Sequence, residues 1–286
     1  MFNHNFQFIN NNFPYLVLDN FLPSENYENL NNKLPNFQNI FDMSNITYSN
    51  SVHRFDVHKG SAGLKHILDK NMELSKLFLN LDNKDFFKNL LDSLVSKNKD
   101  LNLKNEIMNN LNKFEYDKAY SDFYRHKKSN FFMTKVKSIY IKSYLSHFIN
   151  ALKNKLYPPT VYCTYSLSYT RTGYEIPAHT DNRYKMFVIL YYLTDMDEDG
   201  SLCLLRSKKN TKIEECKRYP KKDDIEIFET INIKPNTAVI IFNDNNSYHM
   251  TLPFENKLKK FIYVAYCLKN YENIFNTNYF IKNGSI

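Results

Sequence analysis

The spacing of apolar residues changes near the middle of the chain. Between Ala62 and Leu111 they recur at intervals of three and four: Leu64, Ile67 and Leu68, then Leu74, Leu77 and Phe78, then Phe86, Phe87, Leu90, Leu91 and Leu94. That is the period of amphipathic helices lying on an apolar surface. A further helix is expected from about Lys137 to Leu156, ending before Pro158-Pro159, where a helix cannot easily continue. Beyond it the runs are short, alternating or wholly apolar. Val161–Thr170, a stretch around Ala178, Phe187–Leu193, Ser201–Leu205, Ile225–Ile233, Ala238–Phe242 and Lys259–Leu268 all read as strands. Near the start, Phe13–Phe21 reads as a strand, followed by a Leu-Pro turn and a helix from Ser24, its expected N-cap, to about Leu34. Residues 36–60 read as irregular, and 114–135, polar and rich in tyrosine, as a mobile loop.

About eight short strands in the C-terminal half, with helices mostly before them, predict an α+β chain. The expected core is a double-stranded β-helix, jelly-roll or cupin-like, backed by N-terminal helices. No linker or repeat interrupts the 286 residues, so one domain is expected. Its N-terminal strand and helical support would run over 1–156, the β-helix core over 157–270 and a tail over 271–286.

Composition changes this picture little. The net charge of +8 is dispersed, and no basic stripe interleaved with aromatics stands near the strands, which argues against a nucleic-acid partner. One segment is the exception: Arg206 to Asp224 holds eight Lys or Arg with little apolar period, and reads as an exposed insertion between strands. The four cysteines, Cys163, Cys203, Cys216 and Cys267, form no C-x-x-C, and three lie in expected core strands. A disulfide framework is not expected, which fits a reducing, cytoplasmic setting. The start lacks a signal-peptide pattern, and no apolar run reaches the ~18–20 residues of a membrane span.

Chemistry concentrates at His179-Thr180-Asp181. On extended chain His179 and Asp181 share a face while Thr180 points away, so the pair can supply one edge of a metal's coordination shell. His249, after the apolar run Ala238–Phe242, can supply a third ligand from another strand. Two His and one carboxylate leave positions open, as in non-haem Fe(II) oxygenases; the same donors also suit a Zn hydrolase, and a cupin-like binding barrel without chemistry is a third reading.

The sequence from Tyr169 to Leu193, Y-T-R-T-G-Y-E-I-P-A-H-T-D-N-R-Y-K-M-F-V-I-L-Y-Y-L, with His249 and Lys259 after it, resembles the Fe(II)/2-oxoglutarate-dependent oxygenases. Within them it is most similar to the branch of the prolyl hydroxylases and their bacterial and phage relatives. The carrying features are Gly173 before H-x-D-N, an apolar strand ending Y-Y-L, and a Lys ten residues after the distal His with Pro253 between. The opening strand, F-L-P turn and helix extend the likeness loosely. The resemblance implies a dioxygenase using Fe(II), 2-oxoglutarate and O2 to hydroxylate a small-molecule or peptidyl substrate, releasing succinate and CO2. His179, Asp181 and His249 would be the metal and catalytic set. Lys259 would bind the far carboxylate of 2-oxoglutarate, with Tyr192 as second donor, Leu190 flooring the same pocket and Tyr169 near the metal-side end.

Alternation along Lys259–Leu268 does not choose between Lys259 and Lys260, since both faces are apolar; the ten-residue step favours Lys259 over Lys260 and Lys257. A cation there suits a keto diacid and has no use in a plain Zn hydrolase. Asn182 is expected to orient the Asp181 carboxylate. Arg183 and Lys185 read as solvated charges. In the turn that follows, Asp199 replaces the first of the relatives' glycine pair, and Ser201 holds the variable position after it.

Overall fold

The computed structural model describes residues 6–43, 53–97, 114–119, 159–182, 184–194, 200–208, 218–243, 246–253 and 258–269. The helix expected over 137–156, most of the loop over 114–135, Cys216, Arg183 and the tail lie outside them.

The N-terminal part runs β1 (Ile9–Asn10), β2 (Pro14–Leu18), α1 (Ser24–Asn32), α2 (Phe37–Met43) and β3 (Arg54–His58). Then come α3 (Ala62–Lys70), α4 (Met72–Leu81), α5 (Lys84–Lys97) and β4 (Glu115–Tyr116). Two expectations need correcting here. Ser24 opens α1 but does not cap it; Pro23 holds the cap position, without a side-chain bond. The stretch 36–60 is not irregular, since it holds both α2 and β3. Side-chain caps open α3 and α4: Ser61 accepts from the Leu64 amide before α3, and Asn71 from the Leu74 amide before α4. Asn71 also donates to the Leu30 carbonyl, tying α1 to the α3–α4 corner.

The C-terminal part is β5 (Thr160–Thr170), β6 (Ile176–His179), β7 (Lys185–Tyr192), β8 (Leu202–Ser207), β9 (Ile225–Ile231), β10 (Thr237–Phe242), β11 (His249–Thr251) and β12 (Lys259–Leu268). The strands form two sheets. The larger has the order β1-β2-β10-β7-β12-β5-β3, with β4 beside β5; the smaller has the order β6-β11-β8-β9. All pairings are antiparallel except β4 with β5. The chain is thus α+β, built on antiparallel sheets.

The two-residue period of the strands sorts side chains between two cores. One face of the large sheet (Cys163, Leu167, Phe187, Ile189, Ile240, Ile262 and Val264 among others) packs against α3, α4 and α5 through Ile67, Leu77, Phe78, Phe87 and Leu90. Its other face packs against the small sheet, where Tyr192, Val239, Ile241 and Phe261 meet Leu202, Leu204 and Ile231. This places the small sheet over one side of the large one, whose side facing it is its cleft face.

Asn236 locks the N-terminal strand to this frame. It follows Pro235 in a turn closed by the Thr237 amide on the Lys234 carbonyl, and its φ of 67° is one that Asn tolerates. Its side chain accepts from the Leu22 amide and the Tyr191 hydroxyl and donates to the Leu22 carbonyl. Among the described residues, Cys163, Cys203 and Cys267 are buried and form no disulfide. No helix among the described residues is long and apolar enough to cross a membrane.

Candidate metal and anion site

β6 and β11 lie side by side in the small sheet with His179 and His249 as Cα partners, and the ring centroids are 4.5 Å apart. Each ring is fixed in the same way: His179 Nδ1 lies 2.9 Å from the Pro177 carbonyl, and His249 Nδ1 2.9 Å from the Ser247 carbonyl. A carbonyl can only accept, so Nδ1 carries the hydrogen and, in the neutral ring, Nε2 keeps the lone pair. Burial pushes the His179 imidazole down to about 4, and the neighbouring His249 pushes it the same way. A neutral imidazole with a fixed Nδ1–H is the form that ligates a metal.

β6 ends at His179, so Asp181 stands in the turn after it rather than on the strand. It nonetheless reaches the same place: its Oδ2 is 3.7 Å from His249 Nε2. Its other oxygen is taken. Lys185, at the start of β7, donates from Nζ to Asp181 Oδ1 at 2.7 Å and lies 2.6 Å from the Tyr263 hydroxyl. Burial alone would raise the Asp181 pKa, but Lys185 first, then His249 and His179, hold it well below the usual carboxylate range. Lys185 is therefore not a solvated charge, and it, rather than Asn182, orients the carboxylate. The Asn182 side chain donates to the Tyr184 hydroxyl instead.

Asn243, unnoticed in the sequence, holds the turn. Its Nδ2 donates to the carbonyls of Asn182 at 3.0 Å and Lys185 at 2.9 Å, while its Oδ1 accepts from Ser247, the residue whose carbonyl fixes His249. One amide thus couples the two loops that carry the three donors.

The donor set of two Nε2 atoms and one carboxylate oxygen fits a divalent metal with open positions. The three are neighbours rather than a closed cage: among the described residues no group of three His, Cys, Asp or Glu side chains already converges as ligands.

The remaining expected site residues divide between the two faces of the large sheet. Tyr192 and Leu190 point into the cleft with the Phe261 ring, whose centroid is 6.1 Å from that of Tyr192. Lys259 shares the face of Phe261 and is 2% exposed. Lys260 turns to the helical side, its Nζ 5.6 Å from the centroid of the Tyr169 ring. Tyr169 is also on that side, its hydroxyl donating to the Pro35 carbonyl at 2.6 Å. The structure does not bring Tyr169 to the metal donors, because alternation along β5 gives the cleft to Ser166, Ser168 and Thr170 instead.

β3 adds a residue the sequence reading missed. Arg54 is half-buried on the cleft face; its Nε donates to Asp56 at 2.8 Å, and its other nitrogens lie 3.3 Å from Ser168 Oγ and 3.4 Å from the Tyr174 hydroxyl. Its guanidinium carbon sits 5.0 Å from the Phe261 ring centroid. The alternation in R-F-D-V-H was the available signal. The basic insertion also touches the site. Thr180 and Arg218 are joined by the bond from the Thr180 amide to the Arg218 carbonyl at 3.0 Å, and Tyr219 lies over His179 with centroids 6.2 Å apart. Residues 209–217 of the insertion lie outside the described residues.

No family model matches the sequence, and no curated protein matches it. Solved structures do. One is the Trichoplax adhaerens prolyl hydroxylase in complex with a hypoxia-inducible-factor oxygen degradation domain peptide, at 14% identity over 92% of this chain and 86% of that one, TM-score 0.39. Another is the viral collagen prolyl hydroxylase of Paramecium bursaria Chlorella virus-1 with 2OG, at 10% identity over 88% and 94%, TM-score 0.37. A 2OG-Fe(II) oxygenase family protein of Burkholderia pseudomallei matches at 11% identity, over 37% of this chain and only 45% of its own length, TM-score 0.26. The chain is similar to prolyl hydroxylases and a 2OG-Fe(II) oxygenase, bacterial and viral ones included, at low identity.

Proposed function

We propose that the chain is an Fe(II)- and 2-oxoglutarate-dependent dioxygenase that hydroxylates a C–H bond of a small-molecule or peptidyl substrate. The observation that carries this reading is the arrangement across the cleft. His179, Asp181 and His249 gather on the small-sheet side, with both Nε2 atoms available, while Lys259 lies buried on the facing side beyond Tyr192. A metal chelate with one distant carboxylate matches such a pair of subsites, and a cation buried in the cleft has no role in a plain Zn hydrolase.

We take the architecture to be a double-stranded β-helix in one domain. Its support is the order in which successive strands visit the sheets: β5, β7, β10 and β12 in the large one, β6, β8, β9 and β11 in the small one. The helices share the large sheet's core, which favours a single unit.

In this reading His179 and His249 ligate through Nε2 and Asp181 through Oδ2. Lys185 keeps Oδ1 occupied, so the carboxylate presents one oxygen and the remaining positions stay open. The bound iron would supply O2 activation, driven by oxidative decarboxylation of the cosubstrate to succinate. Lys259 and the Tyr192 hydroxyl would hold the far carboxylate, and Leu190 and Phe261 would keep water from the chelate.

The test is spectroscopic. Anaerobic Fe(II) with 2-oxoglutarate is expected to give a weak visible charge-transfer band, and His179→Ala or Asp181→Ala should each abolish it. A band that survives in both variants would rule out this ligand set. Succinate release on admitting O2 would then permit a screen of small molecules and peptides for the substrate.

A further inference from the structure

We infer that Thr170 is a third donor to the far carboxylate of the cosubstrate, an inference that rests on the proposed function above. β3, β5 and β12 run side by side, and the Cα partners Arg54, Thr170 and Lys259 form one row across them. All three face the cleft. Alternation sends Tyr169 and Lys260 to the helical side, and Ser168, two residues before Thr170, bonds Asp56 within the cleft.

Thr170 is completely buried, yet its hydroxyl meets no hydrogen-bond partner among the described residues. That is costly. A buried hydroxyl without a partner forfeits its hydration with nothing in return, so a valine would be the cheaper residue for the fold alone. The two nearest hydroxyls on that face of β5 are engaged: Ser166 and Ser168 lie 3.3 Å apart, and Ser168 also donates to Asp56 at 2.5 Å. The unmatched group stands on the residue paired across the sheet with buried Lys259, and the next residue on that face of β12, Phe261, offers no donor. A cation and an unmatched hydroxyl on paired residues of neighbouring strands are what a carboxylate needs: one charge and a second directional bond.

This assigns Thr170 two measurable properties that a packing residue would not combine. The exchange of its hydroxyl for a methyl group should cost the ligand-free fold nothing while weakening the carboxylate. The experiment compares Thr170→Val, Thr170→Ser and Lys259→Ala in the full-length protein, titrating the anaerobic Fe(II) form with 2-oxoglutarate and following thermal unfolding without it. Thr170→Val is expected to raise the Kd roughly three- to tenfold, the worth of one neutral hydrogen bond, with an unchanged or higher Tm; Thr170→Ser should bind like the parent. If Thr170→Val binds like the parent while Lys259→Ala is weakened, Thr170 has no part in the subsite, although the anchor itself stands. A Tm several degrees lower for Thr170→Val would show that the hydroxyl serves the fold, and would also overturn the assignment. Where the parent protein binds no 2-oxoglutarate at all, the reading of the site fails, and this inference fails with it.

Discussion

The two faces of the large sheet are made by the same strands, residue by residue, and could hardly differ more. On the helical side β5 presents Cys163, Leu167 and Tyr169, β7 presents Phe187, Ile189 and Tyr191, and β12 presents Ile262, Val264 and Tyr266. On the cleft side the same strands present Ser166, Ser168 and Thr170, then Leu190 and Tyr192, then Lys259, Phe261 and Tyr263, with Arg54 on the neighbouring β3. The helical face is a close-packed, largely apolar layer. The cleft face buries a lysine and several hydroxyls, and half-buries a guanidinium, where apolar groups would pack more cheaply. The helical side carries fewer such groups, chiefly the Lys59–Asp82 pair, so it is the side that mainly stabilises the sheet.

The largest effect is therefore expected on the helical face. Phe187 is fully buried, in ring contact with Phe87, Phe242 and Phe8. Phe187→Ala should destabilise the fold by about 3–5 kcal/mol in urea unfolding, as large-to-small changes in aromatic cores do. A loss below about 1 kcal/mol would mean that this face does not hold the sheet.

How much of this contrast the sequence revealed depended on whether a residue's face could be fixed from its neighbours. The strands of the C-terminal half were legible, because their apolar runs end at turns. The trio His179, Asp181 and His249 was legible as candidate ligands from its residue types and from strand alternation, although Asp181 proves to stand just past the strand's end. Tyr169 shows the limit. The resemblance implies that Tyr169, ten residues before His179, lies near the metal-side end of the cosubstrate, but a shift of one residue reverses the face, and β5 gives the cleft to Thr170. Lys259 and Lys260 were indistinguishable by alternation because apolar residues flank both. Lys185 looked like a surface charge because a sequence does not say that a carboxylate will fold back onto it. β3 escaped notice since five residues, R-F-D-V-H, give alternation little room to declare itself.

A smaller effect is expected from pH. The His179 pKa is lowered in the folded protein to about 4, below its ordinary 6.5, by burial and then by His249. A neutral buried imidazole contributes stability that is present above pH 6.5 and lost as the pH falls toward 4, since the unfolded chain takes up the proton first. The metal-free protein should lose on the order of 2 kcal/mol between pH 7 and pH 5 from this group, and His179→Asn should flatten that slope. An equally steep slope in the variant would assign the pH dependence elsewhere.

The most direct test of the account uses the two adjacent lysines that the sheet sends to opposite faces. In titrations of the anaerobic Fe(II) protein with 2-oxoglutarate, Lys259→Ala should raise the Kd roughly ten- to a hundredfold, the loss of a charge-assisted hydrogen bond of about 1.5–3 kcal/mol. Its metal affinity should be nearly unchanged. Lys260→Ala, which removes a cation resting on the Tyr169 ring, should leave the Kd near that of the parent. Weakened binding in Lys260→Ala with normal binding in Lys259→Ala, or no change in either, would contradict the assignment of the cleft as a 2-oxoglutarate site anchored by Lys259.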